Sequence, residues 1–103
     1  MTVNYSRIFK ATDAITQEPC TILVETIDPI GGKPLVVIKT LEGEYETREE
    51  FEDAREYTLK GWERGYTRDE SERRLYTSIT LRIPETRHLV SSLKEALKIY
   101  EAG

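Results

Sequence analysis

One cysteine and one histidine are all that 103 residues supply of the two side chains most used as nucleophile, proton shuttle or soft metal ligand. With Cys20 alone no intrachain disulfide can form, so a reducing, cytoplasmic setting is expected. No apolar run reaches 18 residues, and none near the N-terminus has the length of a signal peptide, so no membrane contact is expected. Internal repeats, low-complexity tracts and linkers are also missing, which leaves a single domain spanning 1–103. Positive charge is short as well. The net charge is −4, which weighs against a general binder of nucleic acid or anionic lipid.

What the chain does have is patterned apolar residues separated by turn formers. Residues 5–11, 21–27 and 35–41 read as strands, the second and third rich in β-branched side chains. Asp28-Pro29-Ile30-Gly31-Gly32-Lys33-Pro34 between the last two is dense in turn residues, so the three strands are expected to form an antiparallel meander. Apolar residues on both sides of strands two and three suggest central positions.

Thr47 and Glu50 have the spacing of a capping box, which predicts a helix whose inner face carries Phe51, Ala54, Thr58 and Trp62 and which stops near Gly65. Residues 73–83 alternate. Leu75, Thr77, Ile79, Leu81 and Ile83 are expected to face the core, with Arg74, Tyr76, Ser78, Thr80 and Arg82 outward and Pro84 as the stop. A last helix from about Glu85 to Glu101 would turn Leu89, Leu93, Ala96, Leu97 and Tyr100 inward. The predicted fold is α+β in the order βββαβα, a two-layer sandwich of a mainly antiparallel four-stranded sheet with two helices on one face. Its core is expected to rest on Phe51, Trp62, Ile79, Leu81, Leu93 and Leu97.

Two surfaces are candidates for function. Residues 42–56 hold eight acids against two arginines, so this segment carries −6 and the remainder is slightly positive. Glu49, Glu52, Asp53 and Glu56 fall at i, i+3, i+4 and i+7, a spacing that places them on the helix face away from Phe51. Such a band could steer a basic partner, or merely solvate the helix. The second surface is the outward row Arg74, Tyr76 and Arg82, with Arg64, Tyr66, Arg68 and Arg73 just before it. Arginine to grip phosphate and tyrosine to stack on bases is the pairing of open sheets that hold single strands. Asp69, Glu70 and Glu72 offset that charge.

No catalytic constellation accompanies these surfaces. His88 shares a helix side with Ser91, Ser92 and Glu95, but one helix surface provides neither a constrained nucleophile nor an oxyanion hole. Gly31-Gly32-Lys33 lacks the spacing of a phosphate loop, and the acids lack a calcium-loop pattern. No cofactor, metal or enzymatic activity is therefore expected. By elimination the chain reads as a small acidic protein-binding or regulatory module, an inhibitor of the antitoxin, immunity or anti-defence kind acting on a basic or nucleic-acid-associated protein. Nucleic-acid binding through the Arg/Tyr face is the alternative. A wide apolar arc on the last helix, flanked by Val90 and Ile99, predicts a homodimer or an obligate partner.

Overall fold

Residues 2–63 and 74–101 are described by the computed structural model, apart from the side chains of residues 62 and 63. Trp62 as a core residue, the stop at Gly65 and the charged residues of 64–73 lie outside that description.

The order is β1 (Thr2–Thr12), β2 (Pro19–Asp28), β3 (Leu35–Glu42), α1 (Arg48–Glu63), β4 (Tyr76–Arg82) and α2 (Ile83–Glu101). The strands form one antiparallel sheet in the order β1-β2-β3-β4. The fold is thus α+β, as expected, with the β-branched strands β2 and β3 in its centre. Strand β1 is longer than the predicted 5–11, because a bulge between Val3 and Tyr5 lets pairing with β2 continue to Thr2. Asp13 closes the β1–β2 turn by accepting hydrogen bonds from the amides of Ile15 and Thr16.

Because side chains alternate along a strand, the register defines two sheet faces. The first carries Ile8, Leu23, Lys39 and Ser78 in one row, and Lys10, Thr21, Leu41 and Tyr76 in the next. Helix α1 lies on this face. Its Phe51 joins Leu23 and Leu41 in a fully buried cluster, bordered by Ile8, Tyr45, Ala54 and Tyr76. The capping box forms as expected on the Thr47 side, whose hydroxyl accepts the Glu50 amide at 3.1 Å. The Glu50 carboxylate reaches back to the Glu46 amide at 3.0 Å, one residue beyond the expected Thr47. Thr21, buried on β2, fixes the approach to the helix: its hydroxyl donates to the Gly43 carbonyl and accepts the Tyr45 amide. Gly43 has φ of 107°, and a Cβ there would come within 2.6 Å of the Tyr45 hydroxyl, so only glycine fits.

The second face carries Phe9, Ile22, Thr40 and Thr77 in one row and Arg7, Val24, Ile38 and Ile79 in the next. Here the structure corrects the expected orientation of β4. Tyr76 points toward α1, whereas Ile79 is on the opposite face and half exposed. Alternation separates two sets of side chains but cannot say which set the helix will cover. The charges of α1 decide it, because their partners Glu25, Lys39 and Tyr76 all stand on the first face.

The second correction concerns the last helix. Strand β4 ends at Arg82 and α2 starts at Ile83 with no intervening loop. Pro84 sits in the first helical turn, where its missing amide hydrogen costs nothing. No residue of α2 is buried; Leu93 and Leu97, expected in the core, are each more than half exposed, and every residue from Val90 to Glu101 is exposed.

Candidate functional site

The acidic band divides when its side chains are placed. Glu49, Asp53 and Glu56 are exposed along the outer side of α1. Glu52 does not stand with them: it turns under the helix, accepting from Lys39 Nζ at 2.8 Å and from Arg55 at 3.2 Å. The band is therefore three residues deep, with Glu56 paired to Lys60 at 3.6 Å.

Glu52 belongs instead to a charged layer between α1 and the sheet. At its centre is Glu25 on β2, with its side chain 2% exposed. Arg48 Nε donates to it at 2.6 Å, and Lys39 Nζ approaches at 3.5 Å. Desolvation, the largest single influence on Glu25, favours its protonated form. The Arg48 hydrogen bond and the charges of Arg48 and Lys39 together outweigh it and hold the carboxyl below its ordinary value. No sequence signal singles out Glu25, since its partners lie 14 and 23 residues away.

The Arg/Tyr face is also rearranged. Tyr76 borders the core cluster, its hydroxyl accepts from Arg55 Nε at 2.9 Å, and the Arg55 guanidinium lies 5.3 Å over its ring. The ring is half-buried under α1, so it offers no open stacking platform between Arg74 and Arg82. Arg82 is exposed at the far end of β4 from Arg74.

His88, Ser91, Ser92 and Glu95 are all exposed on α2, and Cys20 is half-buried at the start of β2. Cys20→Ser and His88→Ala are expected to leave partner binding within experimental error of wild type; loss of function in a folded His88→Ala protein would contradict that. Among the described residues, no three His, Cys, Asp or Glu side chains converge as metal ligands, and no helix is long and apolar enough to cross a membrane.

The surface that stands out is apolar. On the second sheet face Tyr5, Phe9 and Ile79 are 45–50% exposed, and on α2 Val90, Leu93 and Leu97 are 45–55% exposed. Isolated apolar residues are ordinary on a protein surface, but clusters on one sheet face and along one helix stripe are not. This pairing of open elements is the strongest candidate site. Comparison with protein-family models, curated proteins and solved structures finds no match to this chain.

Proposed function

We propose that this chain is a non-catalytic protein-binding module that works as a homodimer in the cytoplasm. It associates through its open apolar surface and presents the acidic side of α1 to a basic protein partner. The observation that carries this reading is the partly exposed apolar sheet face together with a helix whose apolar stripe is exposed from Val90 onward. Surfaces of that kind in a small chain are used for protein association. The acidic band is on the other side of the molecule, because α1 covers the opposite sheet face. Self-association through the apolar surface thus leaves Glu49, Asp53 and Glu56 accessible on each copy. A regulatory role on a basic or nucleic-acid-associated protein, of the antitoxin, immunity or anti-defence kind, suits such a module. Direct nucleic-acid binding has less support, since Arg55 already occupies the face of Tyr76.

The test is affinity capture from host extract with wild type and with a Glu49→Gln/Asp53→Gln/Glu56→Gln variant, each with and without nuclease. Wild type is expected to recover a basic protein that survives nuclease treatment. The variant is expected to bind it more slowly and with a flatter salt dependence, because opposed surface charges act mainly on encounter. Its stability should move by at most a few tenths of a kcal/mol per site. Equal binding by both proteins would remove the acidic band from function.

A further inference from the structure

We propose that the open sheet face of each copy is covered by α2 of a second copy, in a reciprocal exchange about a two-fold axis. This rests on the self-association proposed above and names the surfaces that meet.

The connection between β4 and α2 supplies the first argument. A helix that folds back over the sheet it follows ordinarily uses a loop of about two to six residues to reverse direction. Here Arg82 ends the strand and Ile83 begins the helix, so α2 has no slack with which to return. Only its first turns reach the rest of the chain: Ile83, Thr86 and Leu89 are half-buried, and everything from Val90 onward is exposed.

The second argument is complementarity. One copy holds an apolar helix stripe that is exposed from Val90 onward and a sheet face on which Tyr5, Phe9 and Ile79 are 45–50% exposed. The helix stripe, Leu89, Val90, Leu93, Ala96, Leu97 and Tyr100, is the broad arc suited to a sheet rather than the narrow seam of a two-stranded coiled coil. Its 19 residues span about 28 Å. Of these, the 12 exposed residues Val90 to Glu101 span about 18 Å, and the strands run from 7 to 11 residues, about 23–36 Å, so the free part of one helix covers half or more of the length of the face. Charge does not oppose the contact. Arg87, Lys94 and Lys98 balance Glu85, Glu95 and Glu101 on α2, and Arg7 is the one charge in the two central rows of the face. A two-fold exchange satisfies both surfaces of both copies at once, which a single foreign helix would not.

Light scattering and crosslinking test the proposal on the full chain. Wild type is expected at twice the chain mass, and Leu93→Glu/Leu97→Glu at the chain mass while still folded, since both leucines are exposed within one copy. In a Cys20→Ser background, Ile38→Cys on the open face and Leu93→Cys on α2 should be joined between chains by a short bis-maleimide. A wild-type monomer at high concentration overturns both the self-association and the exchange. A wild-type dimer that persists in the double-glutamate variant, or whose cysteines join within one chain or not at all, overturns the exchange alone.

Discussion

Phe51→Ala is expected to destabilise the fold by about 3–5 kcal/mol, the usual cost of deleting a buried aromatic ring. Phe51 is fully buried, and its ring meets Tyr45 edge-on at 6.0 Å. Among the described residues it is the fully buried apolar side chain of α1, and the buried cluster around it contains Leu23 and Leu41. A domain of this size has on the order of 5–15 kcal/mol in total. Chemical denaturation should therefore show Phe51→Ala largely unfolded or close to it at room temperature. A midpoint near that of wild type would mean that α1 is held by its charges and not by its core face.

Arg48→Ala is expected to cost about 1–3 kcal/mol near neutral pH, because it takes the closer of two cations, at 2.6 Å, from a buried carboxylate and leaves Lys39 at 3.5 Å. Glu25→Gln should be milder, since Arg48 is 39% exposed and can recover water once the carboxylate is gone. Acid separates the two effects. The Glu25 carboxyl is held below its ordinary 4.5 in the folded protein. Its contribution to stability is therefore complete above that pH and is lost as pH falls through the lower folded value. The difference between wild type and Arg48→Ala should shrink as pH drops below about 4.5, because the stranded carboxylate can then take up a proton. A difference that stays constant from neutral pH to pH 3 would contradict this assignment.

Local signals were legible where the chemistry that sets them is local. The capping box at Thr47 and Glu50, the β-branched runs of β2 and β3 and the turn between them all place elements that the structure contains, and the element order βββαβα follows. Two features were not legible because they depend on distant partners. Alternation in β4 separates Tyr76 from Ile79, yet the charges of α1, matched to Glu25 and Lys39, decide that the tyrosine row is the covered one. Likewise the periodicity of α2 marks its apolar stripe correctly but not what the stripe meets. With Pro84 accepted in the first turn, the helix continues straight from β4 and carries Leu93 and Leu97 away from the core. The acidic band shows the same limit: Glu52 has the spacing of its neighbours, but Lys39 draws it under the helix.

Hydrogen exchange over a range of protein concentrations tests the central claim most directly, that α2 and the open sheet face are association surfaces. A helix without a partner exchanges its amides at nearly the rate of local fraying, and a docked one is protected. Protection from Val90 to Glu101 is expected to rise with concentration, in parallel with β4, while protection of α1 stays constant. Protection of α2 that stays low at every concentration would contradict it.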